Sequence, residues 1–161
     1  MQQKQISFAY DLYNAAVELP AADAALVAAA RNSTNNAYAP YSHFYVGAAA
    51  RLVNGEIITG SNQENASYPV GICAERVLLS AASSQFPGTA IEAIAVSYSN
   101  HNGESNVPLS PCGMCRQSLV EYEDRQHSEI KIILSGMEGE VFVMHGAKHL
   151  LPLSFTGKDL K

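Results

Sequence analysis

An α/β layered fold is predicted for this 161-residue chain, and three observations carry the prediction. Two near-continuous apolar runs, Ile91–Tyr98 and Ile130–Leu134, read as strands buried on both faces, as in a sheet covered on both sides by helices. Two helix-like stretches, 74–84 and about 112–123, alternate with those runs in strand, helix, strand, helix, strand order. A β-rich pair of segments, 45–53 and 56–60, flanks Asn54-Gly55, the strongest short hairpin signal. The length suits one domain, so residues 1–161 are expected to form a single unit.

Taken in order, the chain opens with Ile6, Tyr10, Tyr13 and Val17, whose helical spacing predicts a helix over residues 4–18. Residues 1–20 are thus expected to be an N-terminal helical extension, ended by Pro20, after which 22–33 resume as an Ala-rich helix. Thr34, Asn35, Asn36, Pro40 and Ser42 mark 34–44 as a loop. The hairpin follows, and a loop from Ser61 to Ile72 leads into the helix at 74–84. There Ala74, Val77, Leu78 and Ala81 recur at i, i+3, i+4 and i+7. Pro87-Gly88 breaks the chain before the first buried strand. A polar loop from Ser99 to Asn106 and two prolines, Pro108 and Pro111, precede the second helix, which carries Cys115, Ser118, Leu119 and Tyr122 on one stripe. Gly136 and Gly139 frame a turn into a last short strand, Val141–Met144. A short helix near Ala147–Leu151 stops at Pro152.

Composition narrows the class of function. With 47% hydrophobic and 16% charged residues, the chain can bury a core and is not disordered. A net charge of −5 without a Lys/Arg cluster argues against a polynucleotide partner, which demands a basic stripe to neutralise phosphates. No run approaches the roughly 18 apolar residues of a membrane span. The N-terminus leads into a polar amphipathic segment rather than a signal sequence. Three cysteines, an odd and small number, argue against a disulfide framework, and a reducing cytoplasm is the expected location.

Those cysteines instead sit in two short motifs, Cys73-Ala74-Glu75-Arg76 and Pro111-Cys112-Gly113-Met114-Cys115-Arg116, each opening a helix. Cys112 and Cys115 are spaced i, i+3, so their sulfurs can converge from one turn. Cys73 supplies a third sulfur, and three thiolates leave the fourth corner of a tetrahedral zinc open, as in a catalytic site. Residues i and i+2 of a regular helix point about 200° apart, so Cys73 and Glu75 face one metal only if Cys73 is the helix cap. A carboxylate beside a metal-bound water, not ligating the metal, is placed to move protons, which makes Glu75 the candidate acid and base. A lone Cys-x-x-Cys is also compatible with a redox pair or a structural zinc knuckle. Glu75 is the feature a structural site does not require.

These motifs resemble the zinc-dependent cytidine deaminases in their short, three-cysteine, homotetrameric form. The resemblance extends to Pro40-Tyr41-Ser42-His43-Phe44 with Val46-Gly47-Ala48-Ala49, to Asn62-Gln63-Glu64-Asn65-Ala66-Ser67-Tyr68, and to Leu150-Leu151-Pro152 through Phe155. It runs from about residue 22 to the end of the sequence. It implies a three-layer α/β/α fold with a central mixed sheet of about five strands and one Zn²⁺ per chain. The implied reaction is hydrolytic deamination of cytidine and 2′-deoxycytidine in pyrimidine salvage, by zinc-activated hydroxide with Glu75 as proton shuttle. It further implies that Asn62 and Glu64 bind the ribose hydroxyl and that Phe44 packs on the base. Phe155 is expected to reach a neighbouring subunit's pocket within a homotetramer, and Arg76 to hydrogen-bond the ligand sulfurs. Tyr45 and Ser61 depart from the proline and cysteine of many relatives, and Tyr45 bears on the loop that aims Phe44.

Two alternatives stand beside this reading. The same scaffold deaminates other aminopyrimidines, such as a nucleoside antibiotic of the blasticidin S type. A non-enzymatic zinc module, holding two helix ends together, is the reading from a different class.

Overall fold

Alternation along the strands sorts the core into two layers. The computed structural model describes residues 1–160. Its strands are β1 (Asp11–Tyr13), β2 (Phe44–Leu52), β3 (Ile57–Ser61), β4 (Ile91–Asn100), β5 (Lys131–Ser135) and β6 (Val141–His145). Its helices are α1 (Ala21–Ser33), α2 (Ala74–Gln85) and α3 (Gly113–Gln126). Ala48, Ala50 and Leu52 of β2, Ile94 and Val96 of β4, and Ile132 and Leu134 of β5 pack with Leu78, Ala82 and Leu119 of α2 and α3. The intervening Ala49, Ala93, Ala95 and Ile133 meet Leu26, Val27 and Ala30 of α1 on the opposite face. Period-two side chains therefore serve both helix layers at once, which is why these strands read as unbroken apolar runs.

The sheet order is β1-β6-β5-β4-β2-β3. Only β4 and β5 run parallel, joined by the crossover through α3, and the other neighbours are antiparallel. The predicted hairpin is present, with Ala49 opposite Thr59 and the turn at Asn54-Gly55, where Gly55 takes φ +89°. The predicted three-layer α/β/α arrangement is the one observed, with a mixed sheet of six strands where about five were expected.

The extra strand corrects the reading of the N-terminus. No helix forms over residues 4–18. Asp11–Tyr13 lie extended against β6, pairing Leu12 with Phe142, and only one 3₁₀ turn follows at Ala16–Glu18. The spacing of Ile6, Tyr10, Tyr13 and Val17 suits a helix, but the open edge of β6 offers backbone partners that periodicity does not register. Tyr10 settles on Phe142 with ring centroids 4.8 Å apart, and Phe8 stacks on His149. The predicted helix near 147–151 is a 3₁₀ turn, Ala147–Leu150.

Two buried polar groups lock the layers. Asp23 of α1 is paired to both Arg51 of β2 and Lys131 of β5 at 2.9 Å. Glu123 of α3 accepts the backbone N–H groups of Ile130 and Ala147, each at 2.7 Å, and so fixes the start of β5 and the turn after β6. The approach of α2 to the sheet is set by Gly60. A Cβ there would lie 2.5 Å from the Ala74 carbonyl oxygen and 2.6 Å from the Leu78 nitrogen, while the Gly60 carbonyl accepts the Ser33 hydroxyl from the other side. Gly60→Ala is expected to push the first turn of α2 off the sheet and to destabilise by about 1–3 kcal/mol, as overpacking does. Urea unfolding measures the loss, and bound zinc per chain falls with it.

Candidate active site

The first turns of α2 and α3 meet at the end of the sheet where β3 finishes and β2 begins. Cys73 is the residue capping α2 and has extended backbone, φ −74° and ψ 153°. Cys112 caps α3 in the same way, with φ −67° and ψ 168°. Each cap carbonyl accepts the first intrahelical N–H, from Arg76 and Arg116 respectively. Cys73 thereby stands outside regular helical geometry, so that it and Glu75 border the same cleft, as the i, i+2 argument required.

The Sγ atoms of Cys73 and Cys112 are 3.7 Å apart, and those of Cys112 and Cys115 are 3.4 Å apart. Sulfurs about 2.3 Å from a tetrahedral centre are separated by about 3.8 Å, so the donor set fits zinc in both chemistry and spacing. Among the described residues no other group of three His, Cys, Asp or Glu side chains brings its ligand atoms within 4.8 Å of one another. Hydrogen bonding from Cys115 lowers the Cys73 thiol to about 6, and the same bond together with burial pushes Cys115 up. Both helix N-termini direct their partial positive charge at these sulfurs, which favours thiolates.

Glu75 is 4% exposed, and burial raises its carboxyl above the ordinary value. It lines a cleft of about 610 Å³ together with Cys73, Cys112, Phe44, Asn62 and Glu64. That volume suits a small organic ligand. Antiparallel bonds between Gln63 and Ile72, 2.9 and 3.0 Å long, close the loop that delivers Cys73. Arg116 ties the Pro111 carbonyl to that of Leu150, which secures the approach to Cys112.

The sequence-predicted residues divide by placement. Phe44 borders the cleft with its ring stacked on Tyr98, centroids 4.8 Å apart. The Asn62 amide pairs with the start of β2 beside the cleft: Oδ1 accepts the Val46 N–H at 2.7 Å and Nδ2 donates to the Phe44 carbonyl at 3.0 Å. Glu64 Oε2 accepts the N–H groups of Tyr41 and Ser42, and hydrogen bonding from Ser42 first holds this carboxyl below its usual range. Phe155 is 59% exposed, does not line the cleft of its own chain, and presents only its carbonyl to Gln117. The Arg76 guanidinium forms no hydrogen bond with a sulfur. It lines an open groove between α2 and α3 with Ser83, Tyr122 and Arg125, and reaches Cys73 only through its charge. Sequence reasoning missed Tyr98, which backs Phe44, and left Tyr41 and Tyr68 at the cleft without roles. Tyr98 gives no signal of its own inside an apolar run.

Comparison with known proteins agrees with this geometry. The family described as "Cytidine and deoxycytidylate deaminase zinc-binding region" matches residues 20–130. A cytidine deaminase of Halalkalibacterium halodurans is 36% identical over 135 residues, which are 84% of this chain and 95% of the relative. A blasticidin-S deaminase of Bacillus cereus is 32% identical over 136 residues, 83% of this chain and 92% of the relative. The crystal structure of cytidine deaminase from Burkholderia pseudomallei superposes with a TM-score of 0.70 at 41% identity, covering 81% of this chain and 97% of that one. With a three-thiol cluster at the meeting point of two helix caps and a matching zinc-binding region, this chain belongs to the cytidine and deoxycytidylate deaminase family, with one zinc per chain.

Proposed function

We propose that this chain hydrolyses cytidine and 2′-deoxycytidine to uridine and 2′-deoxyuridine with release of ammonia, a reaction of pyrimidine salvage. The observation that carries the reading is a buried carboxyl, Glu75, in the same cleft as the three sulfurs. Held by Cys73, Cys112 and Cys115, zinc supplies the Lewis acidity that brings a water's pKa towards about 7. Glu75 takes the proton from the attacking water and places it on ring N3, which makes C4 electrophilic. After water has added at C4, Glu75 takes the remaining proton of the new C4 hydroxyl and delivers it to the leaving amine, so that the C4–N bond breaks as the C4 carbonyl forms. One group acts as base and then as acid, and burial moves its pKa up towards the operating range such a role demands.

Phe44 packs on the pyrimidine face, braced by Tyr98 behind it. Asn62 and Glu64 meet the sugar hydroxyl. Each already holds backbone groups of the 41–46 segment, so sugar and base recognition share one rigid wall. Arg76 adds positive charge near Cys73, against the net negative charge of three thiolates around Zn²⁺. Residues 1–161 act as a single domain. Among the described residues no helix is long and apolar enough to cross a membrane, and the thiol ligands suit a reducing cytoplasm.

The oligomer completes the pocket in this reading. Phe155 is exposed in the single chain, as are Leu153, Met114 and Tyr68, an apolar set that a homotetramer covers while carrying Phe155 to a neighbour's cleft. A second substrate reading, an aminopyrimidine antibiotic of the blasticidin S type, is favoured by the similarity to the Bacillus cereus protein and shares every step at C4.

Purified protein is expected to convert cytidine to uridine, followed by ultraviolet absorbance, with about one zinc per chain and loss of activity on chelation. A strong preference for blasticidin S over cytidine selects the second substrate. Glu75→Gln is expected to lower turnover at least about a hundredfold while retaining zinc, the usual scale for a lost acid–base group. Unchanged turnover refutes the shuttle. Size-exclusion chromatography with light scattering is expected to give the mass of four chains, and Phe155→Ala to raise KM. A monomeric mass with full activity refutes the shared pocket.

A further inference from the structure

The wall of the cleft formed by residues 41–44 is held from behind by a turn that the chemistry above does not use. β4 ends at Asn100, and the chain turns through His101 and Asn102 on its way to α3. Two consecutive carbonyls of the wall face this turn. That of Ser42 accepts Asn102 Nδ2 at 3.0 Å, and that of His43 accepts the backbone N–H of His101 at 3.0 Å. On the other side, the N–H groups of Tyr41 and Ser42 donate to Glu64 Oε2 at 2.9 and 3.3 Å. The backbone of Tyr41–His43 is thus clamped between a turn and a carboxylate.

The clamp answers a local need. His43 takes φ +54°, the left-handed region that residues with a Cβ seldom adopt without neighbours to hold them. The ring of Tyr45 faces His101, centroids 4.4 Å apart, and so seats the start of β2 on the same turn. The turn is itself anchored. Asn102 donates its N–H to Asn100 Oδ1 at 3.0 Å, Asn100 donates to Ser105 Oγ at 2.8 Å, and the Ser105 carbonyl accepts the Met137 N–H at 2.6 Å.

We propose that Asn102 is a positioning residue for sugar recognition. By holding the Ser42 carbonyl, it fixes the backbone whose N–H groups orient the Glu64 carboxylate in the cleft. This rests on the reading of Glu64 as the acceptor for a sugar hydroxyl. A glutamate whose rotamer is already set by two N–H donors loses less conformational freedom on binding than a free one. Asn102 therefore acts on nucleoside affinity and leaves the chemistry at C4 to Glu75.

Steady-state kinetics of the zinc-loaded Asn102→Ala variant test this. KM for cytidine is expected to rise about three- to tenfold, the scale of one lost hydrogen bond. Turnover is expected to stay within about twofold, because the lost interaction is not special to the transition state. Zinc content and melting temperature match the parent. With 2′,3′-dideoxycytidine, which offers Glu64 no ring hydroxyl, variant and parent coincide. Asn102→Asp, which keeps the shape but lacks the Nδ2 donor, behaves as Asn102→Ala does, and Asn102→Ala adds nothing in a Glu64→Ala background. An unchanged KM for cytidine, an equal penalty with the dideoxynucleoside, or a joint fall of melting temperature and turnover overturns the proposal. An unchanged KM in Glu64→Ala alone overturns instead the reading of Glu64 on which it rests.

Discussion

Three sulfurs converge to within 4.8 Å of one another from two different helices, and most of the architecture serves that convergence. Cys73 and Cys112 stand at caps, so neither helix can shift or rotate without moving a sulfur. The α2 cap is set by the side chain that Gly60 lacks and by the Gln63–Ile72 bonds just before it. The α3 cap is set by Arg116 and, at the helix's far end, by Glu123. Close packing between helix and sheet thereby becomes precision at the metal, because a dense interior transmits small displacements instead of absorbing them.

The remaining wall of the cleft is organised differently. Loops carry it, and hydrogen bonds rather than apolar burial give it shape. Asn62 and Glu64 each accept backbone N–H groups from the 41–46 segment, so the side chains read as recognising substrate also hold the loop that carries Phe44. Preorganisation of this kind lowers the ordering cost of binding.

The parts of this molecule that sequence made legible are those governed by local rules. The Asn54-Gly55 turn, the two-faced apolar runs and the cysteine spacings each follow from a short stretch, and the position of Cys73 at the helix cap follows from angular geometry once Cys73 and Glu75 are required to face one metal. The N-terminal segment was misread because its fate depends on a partner strand more than a hundred residues away, whose free edge outbids a helical period. Tyr98 and Gly60 were invisible for a related reason. One is a second layer behind an aromatic and the other is an empty space, and neither has a pattern within its own neighbourhood. The role proposed for Phe155 rests on resemblance, because within one chain it does not line the cleft.

The short strand β1 has one further effect. Without it, the five residues of β6 form the outer rim of the sheet, a row of free backbone donors and acceptors. Such a rim is a template on which a strand from another molecule adds, the opening step of edge-to-edge aggregation. β1 occupies it with three residues of the chain's own and, with Asp11 beside His145, leaves an ionisable pair next to the new rim. In a chain whose proposed assembly depends on orderly contact between copies, the N-terminal segment works as a guard against disorderly contact.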